Sequence, residues 1–519
     1  MLVMDREPIR WEGEGRGLAW SERPETISGA GIRNWRDAAC AAAACGLVLD
    51  GRRSYVHSSV AGMAPVYYME HGGAVYFATT IDALALASPR RLSVDWEAWA
   101  GILTVDFPLG DRTPFAEIRL VRPFSTLEVR WRRARVETSR WPWAEVESNL
   151  DVAEGTAAVL DAMRDSIARL PPGPIVCHLS GGLDSRLCLG LLSEQRRSDI
   201  TTLTVDPDKG TDREREIAAQ LAAASGFSHQ TVVGSSADYW RDLEVRSLRV
   251  DYQVPRPPWR MPALAVLRDT RATSVDGFGF DYMAGPNARY FTETNGTQGD
   301  DAAVESVWDA MRARQARRTP WMFTHGLGAA LWASAHRQYM AESERFRGHP
   351  GRSVLTYWPT RQARYVSMTP YAALGAEVPM AMPLIDDAVA RACFAITFES
   401  KRGGRLYDAL FAAIDPRLLS LPVFNRDEGA GARTPRRSRS AAIADAVYAS
   451  VTDGPLTPWV KTRALRRLTR HHRGREPRTD RAAIGIVTFH QWCERYRHVL
   501  GEIDVAEGLE VLRLDKASG

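Results

Sequence analysis

One stretch near the middle of the chain constrains the fold more than any other. Residues 175–179 form a short, largely apolar run after a Pro-rich segment, which predicts a buried strand. Two glycines flanked by serines follow in residues 180–185, and an apolar-periodic segment that reaches residue 192 predicts a helix. The stretch therefore predicts a strand, a tight loop and a helix N-terminus in direct succession.

The chemistry of this loop suits an anion. Gly181 and Gly182 can adopt backbone angles that other residues avoid, and they let the main chain come close to a ligand. Backbone N–H groups and the positive helix end then point toward one place, which favours a phosphate. Ser180 and Ser185 add hydroxyl donors, and Asp184 offers the carboxylate that a phosphate-bound Mg²⁺ needs. The spacing of a Walker loop is absent.

The string Ser-Gly-Gly-Leu-Asp-Ser at residues 180–185 resembles the pyrophosphate loop of the ATP pyrophosphatase superfamily. Members of that superfamily cleave ATP to AMP and pyrophosphate to activate a carboxylate or a carbonyl. A plain Gly-Ser turn between a core strand and a helix is the alternative interpretation. A second stretch, residues 272–285, again predicts a strand that ends in a glycine-interleaved loop with a carboxylate, and it resembles the Ser-Gly-x-Gly-Ala-Asp-Glu loop of asparagine synthetases and β-lactam synthetases.

The two resemblances together imply ATP and Mg²⁺ as cofactors. In that family two aspartates bind the Mg²⁺ ions of ATP and pyrophosphate, which carries over to Asp184 and Asp281 as metal ligands. Hard cations held by oxygen ligands are what the β- and γ-phosphates require. The residues implied to bind the nucleotide are Leu179, Ser180, Gly181, Gly182, Leu183, Asp184, Ser185, Val205, Asp276 and Gly277.

The order of predicted elements indicates an α/β fold with an α+β N-terminal part. Short β-prone runs at residues 55–60, 66–69, 74–79, 102–107 and 125–131 predict an antiparallel first domain over residues 1–150. Strands and helices then alternate, for example a strand at 200–205 and helices at 213–224 and 263–270, which predicts a parallel sheet in a second domain over residues 151–519. At 519 residues the chain is too long for one core.

The first 150 residues resemble the N-terminal glutaminase domain of class B asparagine synthetases, at residues 64–69, 75–84 and 122–129. That glutaminase uses an N-terminal cysteine exposed by loss of Met, whereas position 2 here is Leu. Cys40 and Cys45 lie in an Ala-rich run that predicts a helix, and they cannot supply an α-amino-terminal nucleophile. The resemblance implies a degenerate Ntn-glutaminase-like sandwich without ammonia release, followed by an ATP-pyrophosphatase domain with a helical C-terminal region.

Composition excludes several classes of protein. Hydrophobic residues are 45% and charged residues 25% of the chain, as in soluble globular proteins, and no apolar run approaches the roughly 18 residues of a membrane span. The start of the chain lacks the apolar core of a signal peptide, so we expect a cytoplasmic protein. Six scattered cysteines without a Cys-x-x-Cys pair indicate neither zinc nor disulfides.

Basic residues crowd into one C-terminal region of the sequence. They are Arg433, Arg436, Arg437, Arg439, Lys461, Arg463, Arg466, Arg467, Arg470, Arg473, Arg475 and Arg478. A solvated face and an anionic partner remain equal interpretations of this cluster.

The reactions of this family share two steps, adenylation of a carboxylate and attack by a nitrogen nucleophile. Departures of this chain from the family pattern indicate which nucleophile attacks. Between the two glycines of the second loop, asparagine synthetases carry Glu and β-lactam synthetases carry Tyr, whereas Phe278 cannot move a proton. The family also carries a catalytic Lys ahead of a Glu-Gly-x-Gly-like segment. Residues 428–431 match that segment, but no lysine stands just before it, so Arg426 and Lys401 are the candidate catalytic cations.

With these departures, the chain resembles the lasso-peptide macrolactam synthetases, or lasso cyclases. These enzymes join the α-amine of a peptide to an internal Asp or Glu side chain. The resemblance implies a core peptide as substrate and a leader peptidase and a leader-binding protein as partners, without a membrane span or nucleic acid. One alternative is a small-molecule amide synthetase of the β-lactam or carbapenam type. The other is a non-catalytic scaffold that binds RNA or peptide through the C-terminal arginines.

Overall fold

A computed structural model describes most of the chain. The described residues are 9–12, 16–20, 45–50, 53–58, 65–130, 133–138, 141–195, 199–206, 213–234, 238–284, 301–315, 322–324, 326–375, 377–423, 454–461, 463 and 480–514.

The secondary structure changes from mostly strand to mostly helix along the chain. The strands are β1 (Ile9–Glu12), β2 (Arg16–Trp20), β3 (Cys45–Asp50), β4 (Arg53–His57), β5 (Tyr67–His71), β6 (Ala74–Ala78), β7 (Arg119–Leu120), β8 (Ser125–Arg130), β9 (Arg133–Thr138), β10 (Ile175–His178), β11 (Ile200–Asp206), β12 (Ser228–Val233), β13 (Thr273–Asp276) and β14 (Met380–Ala381). The α-helices are α1 (Ile81–Leu86), α2 (Trp96–Val105), α3 (Val152–Ala168), α4 (Leu183–Glu194), α5 (Arg213–Ala224), α6 (Tyr239–Arg249), α7 (Ala263–Thr270), α8 (Asp301–Gln315), α9 (Leu327–Ser343), α10 (Arg352–Tyr357), α11 (Asp387–Ala395), α12 (Arg405–Ile414), α13 (Asp480–Tyr496) and α14 (Val505–Leu514). Two π-helical stretches cover Trp358–Val366 and Met368–Leu374.

The first part of the chain forms two antiparallel sheets, with strand orders β1-β2-β3-β4-β8-β9 and β6-β5-β7. Four of the five predicted runs fall on strands of these sheets. The fifth, at residues 102–107, is wrong because it falls mainly on α2. Asp95 caps the N-terminus of this helix, because its carboxylate accepts a hydrogen bond from the Ala98 N–H at 2.9 Å. The helix is buried on nearly every side. An apolar run of that length fits a buried helix as well as a strand.

The cysteines in the first part of the chain also correct one expectation. Cys45 begins strand β3 and is not helical. Position 2 and Cys40 lie outside the described residues. Elsewhere Cys177, Cys188, Cys393 and Cys493 are buried free thiols.

The middle of the chain forms the predicted parallel sheet, in the order β12-β11-β10-β13-β14. The chain runs outward from β10 through β11 to β12 and then returns to the other side of β10 as β13. In open α/β sheets, ligands bind outside the carboxyl ends of the two strands between which this direction reverses. The fold therefore places both predicted nucleotide loops, which follow β10 and β13, at the expected ligand crevice.

Two hydrophobic cores hold the molecule together. The larger one surrounds the parallel sheet. The second joins early and late parts of the chain, because Trp99 and Phe115 contact Trp492 with ring centroids 5.2 and 4.9 Å apart. The backbone pairs there as well: the Leu92 N–H donates to the Val499 carbonyl at 2.7 Å. Within the described ranges, no helix is both long and apolar enough to cross a membrane.

Candidate nucleotide and metal site

Two serines close the first glycine loop on itself. The N–H of Leu179, just after β10, donates to the Leu203 carbonyl at 2.9 Å and so extends the sheet by one residue. The Ser180 N–H donates to Ser185 Oγ at 3.1 Å, and the two hydroxyl oxygens lie 3.0 Å apart. The Gly182 N–H donates to Ser180 Oγ at 3.2 Å, and helix α4 begins at Leu183. These hydroxyls therefore brace the loop itself.

The second glycine loop packs directly against the first. A Cβ atom on Gly277 would lie 2.5 Å from the carbonyl oxygen of Asp184 and 2.8 Å from the Ser185 nitrogen, so no side chain fits there. The Asp281 N–H donates to Asp184 Oδ2 at 3.3 Å. The structure thus brings together the two predicted loops, and with them the two aspartates predicted to bind metal.

The carboxylate of Asp184 has the environment of a cation ligand. It accepts a hydrogen bond from the Tyr407 hydroxyl at Oδ1. Its side chain keeps partial access to solvent, but desolvation by surrounding protein atoms and then the charge of Asp281 raise its pKa well above the ordinary value. The two negative charges repel one another, and a cation bound between them would remove that repulsion.

These donors fit Mg²⁺ and not a softer metal. Among the described residues no three His, Cys, Asp or Glu side chains converge on one point. The candidate oxygen ligands where the two loops meet are Asp184 and Asp281. Magnesium is commonly held by one or two carboxylates while phosphate oxygens and water complete its octahedron. The arrangement therefore suits a phosphate-bound Mg²⁺ in particular.

Several of the residues predicted to bind the nucleotide lie at the carboxyl ends of neighbouring strands. Both Leu179, which directly follows β10, and Val205, the second-last residue of β11, are buried apolar side chains. Asp276 ends β13, opposite His178 in the strand register, and forms an ion pair with Arg260. Burial lowers the pKa of His178 to about 4. A neutral imidazole and a paired carboxylate therefore lie at the strand ends from which the two loops begin.

The two candidate catalytic cations have different positions. Arg426, the Glu-Gly-x-Gly-like segment at 428–431 and most of the C-terminal basic cluster lie outside the described residues. Lys401 is fully buried, and its ammonium donates to the Met283 carbonyl at 2.9 Å and to the Cys393 carbonyl at 2.7 Å. Burial lowers the pKa of Lys401 to about 8. These contacts support the packing of the chain just after Asp281; a direct role of Lys401 in catalysis stays a prediction.

Sequence reasoning missed two residues that organise the site. Tyr407 comes from helix α12 and stacks edge-on against Phe280, and no local motif connects it with Asp184. Arg186 directly follows the glycine loop in the sequence. Its buried guanidinium donates to the Gly181 carbonyl at 3.4 Å, to Leu418 at 2.5 Å and to Pro422 at 2.7 Å. This side chain therefore ties the loop to the segment after α12.

Known proteins similar to this chain include a solved structure and the members of a sequence family. A solved NMN synthetase from Francisella tularensis is 17% identical over 28% of this chain, with a TM-score of 0.18, which is too low to establish a shared architecture. The match spans 60% of that protein's length. The sequence model described as asparagine synthase matches residues 158–494, which include both glycine loops and more than half of the chain. The chain belongs to the asparagine synthase family.

Proposed function

We propose that this protein is an ATP-dependent amide ligase, and more specifically a lasso cyclase. The observation that carries the ligase proposal is the contact between the two glycine loops, with Asp184 and Asp281 side by side at the point where strand order reverses. An anion-binding helix N-terminus and a pair of oxygen ligands are what ATP and Mg²⁺ require.

In the proposed reaction, a carboxylate oxygen of an Asp or Glu side chain in the core peptide attacks the α-phosphorus of ATP, and pyrophosphate leaves. The N-terminal amine of the same peptide then attacks the activated carbonyl carbon, the bond from that carbon to the phosphate oxygen breaks, and AMP leaves with the electron pair. The amine releases one proton to solvent. The product is a macrolactam closed by an isopeptide bond. Bound Mg²⁺ would neutralise the charge on the phosphates, and Asp184 and Asp281 would hold it.

The choice of a peptide amine as nucleophile is supported by what the second loop lacks. Phe278, at the position of the family's Glu or Tyr, packs partly buried against the main core and carries no proton to transfer. A folded peptide whose amine and acyl group are held together gains effective concentration, worth on the order of 7–11 kcal/mol in well-oriented reactions. Such a substrate depends less on a dedicated base than a free small molecule does.

Further parts of the proposal follow from the lasso reading. Arg426 and Lys401 are the candidate sources of positive charge near the reacting phosphate. A leader peptidase and a leader-binding protein are the expected partners, and the cytoplasm is the expected location. We also propose a division into residues 1–150, a degenerate glutaminase-like part, and residues 151–519, the ATP-using part.

The deciding experiment measures pyrophosphate and AMP release from ATP and Mg²⁺ with a candidate core peptide, followed by mass spectrometry of the peptide. Peptide-dependent AMP release with loss of one water from the peptide is the expected result. The Asp184→Asn variant should lose this activity, whereas Asp269→Asn, a change at an exposed carboxylate on helix α7, should keep it.

Other outcomes would redirect the proposal. AMP release only with a small amino acid would indicate a small-molecule amide synthetase of the β-lactam type. Absence of turnover with any carboxylate, together with salt-sensitive RNA binding, would indicate a non-catalytic scaffold.

A further inference from the structure

The side chain of Gln362 is buried beside the second glycine loop without satisfying its amide group. The residue has no exposed surface, and neither Oε1 nor Nε2 has a hydrogen-bond partner within the part of the chain that the structure describes. Its Nε2 would lie 2.7 Å from a Cβ atom built on Gly279. The amide therefore lies against the backbone of the loop that carries Asp281.

Gln362 lies in a π-helical stretch, and the wider turn of this helix determines where its side chain lies. Residues Trp358–Val366 are π-helical, and the Gln362 carbonyl accepts from the N–H of Ser367, five residues later, at 3.1 Å. Pro359 and Pro370 lie in the two π-helical stretches, and a proline ring collides with the carbonyl four residues back in an ordinary α-helix. A widened turn relieves that collision, and π-turns are frequent at functional sites.

An unsatisfied buried amide is costly, so its presence needs an explanation. A buried donor or acceptor without a partner lowers the stability of the fold by about 1–3 kcal/mol. Native proteins therefore contain few such groups. The Gln362 amide lies beside Gly279, whose φ of +91° is accessible to glycine but strained for other residues. A glycine of this kind can rotate its flanking peptide groups at little cost.

We propose that Gln362 is a positioning residue for the second glycine loop. When Mg²⁺ and ATP bind at Asp184 and Asp281, the peptide groups around Gly279 turn toward the Gln362 amide, which then donates to and accepts from the loop backbone. The amide holds Asp281 in its ligating position through the loop and touches neither nucleotide nor metal. This inference rests on the nucleotide-binding part of the proposed function and not on the peptide substrate.

The test replaces the amide by an apolar group of similar shape, Gln362→Met, and compares thermal unfolding with and without ATP and Mg²⁺. The free variant should unfold at a temperature equal to or a degree or two above that of the wild type, because an unsatisfied amide has been removed. The rise in Tm caused by ATP and Mg²⁺ should shrink. Calorimetry should show nucleotide binding weakened about tenfold, the equivalent of about 1.4 kcal/mol.

Gln491→Met is the matched control. Both amide atoms of Gln491 also lack a partner among the described residues, but this residue lies on α13, next to Trp492 of the second core. Its substitution should leave the nucleotide-induced rise in Tm unchanged.

Several results would overturn the inference. If Gln362→Met binds ATP and Mg²⁺ as the wild type does, Gln362 has no part in the loaded state. If the free variant unfolds at a much lower temperature or fails to fold, the amide stabilises the free protein instead. If the wild type itself shows no rise in Tm with ATP and Mg²⁺, the nucleotide proposal fails and this inference fails with it.

Discussion

Buried guanidinium groups donate to backbone carbonyls at several places in this protein. The chain has 67 Lys and Arg residues, of which only four are Lys. Arg186 joins the glycine loop to residues 418–422, and Arg364 donates to the carbonyls of Gly110 at 3.0 Å and Arg112 at 2.6 Å. A planar fork with five donors can serve several carbonyls at once, which an ammonium does less well. Arginine thus fixes contacts between distant parts of this chain.

Loss of the Tyr407 hydroxyl should weaken metal binding. In Tyr407→Phe, Asp184 loses a hydrogen bond that helps to orient its carboxylate, and we expect Mg²⁺ affinity to fall about three- to tenfold. Calorimetric titration of Mg²⁺ in the presence of an ATP analogue that resists cleavage measures the change. Tyr339→Phe is the control, because the Tyr339 hydroxyl is buried on α9 with no partner among the described residues. Equal affinities in both variants would contradict the assignment.

The buried imidazole of His178 should make the fold sensitive to acid. Burial lowers its pKa from 6.5 to about 4, so between these values the unfolded chain takes up a proton that the folded chain does not. Stability is therefore lost as the pH falls from about 6.5 to 4. From pH 7 to pH 5 this group should cost about 2 kcal/mol.

Urea unfolding of the wild type and of His178→Gln at pH 7 and pH 5 measures that cost. The wild type should lose more stability than the variant over this interval, since glutamine does not titrate. An equal loss in both proteins would show that His178 is not responsible.

At the level of residues, the sequence predicts those members of the candidate site that belong to a local motif. Ser180 and Asp184 stand in a recognisable strand-loop-helix pattern and Asp281 in a strand-loop pattern, and the structure brings the two loops into contact. Tyr407 comes from a helix 223 positions away in the sequence, and only tertiary packing brings it to Asp184. Its contribution could not be read from any spacing.

Contact between a loop and a helix makes Gly277→Ala a test of the site at the scale of elements. The added Cβ would lie 2.5 Å from the Asp184 carbonyl oxygen, a backbone atom that cannot move away cheaply. We expect a loss of about 1–3 kcal/mol in the free energy of unfolding and loss of ATP binding. Gly485 lies inside α13, and a Cβ atom there would lie 3.4 Å from Leu103 of α2. The control Gly485→Ala should therefore leave the free energy of unfolding unchanged or raise it. Unchanged ATP binding by Gly277→Ala would show that the loops need not touch.

Elements with clear periodicity follow their predicted bounds. The helices predicted at 213–224 and 263–270 are α5 and α7 without a shift, because each has one apolar face. The run at 102–107 was predicted as strand and is mostly helix, since a segment buried on all sides has no period to read. The π-helical stretches could not be predicted, because their prolines by themselves indicate a break in a helix.

The second core predicts that the proposed division at residue 150 does not yield two independent proteins. A chain of residues 151–519 would expose Trp492, Phe489 and Tyr496, which pack against Trp99 and Phe115 in the whole molecule. We expect this fragment to aggregate or to bind a hydrophobic dye, and co-expression with residues 1–150 to restore solubility. A soluble fragment that melts cooperatively at the temperature of the full chain would contradict this.

The pairing of Leu92 with residues 499–501 has a consequence for the timing of folding during synthesis. The Leu92 N–H and carbonyl bond to Val499 and Gly501, about four hundred positions later in the chain. At a translation rate of roughly 5–20 residues per second, the ribosome needs on the order of tens of seconds after making α2 and its neighbours to make the segments that they pack against. During that interval their apolar surface is open to the cell, so nascent-chain yield should depend on chaperones that cover it.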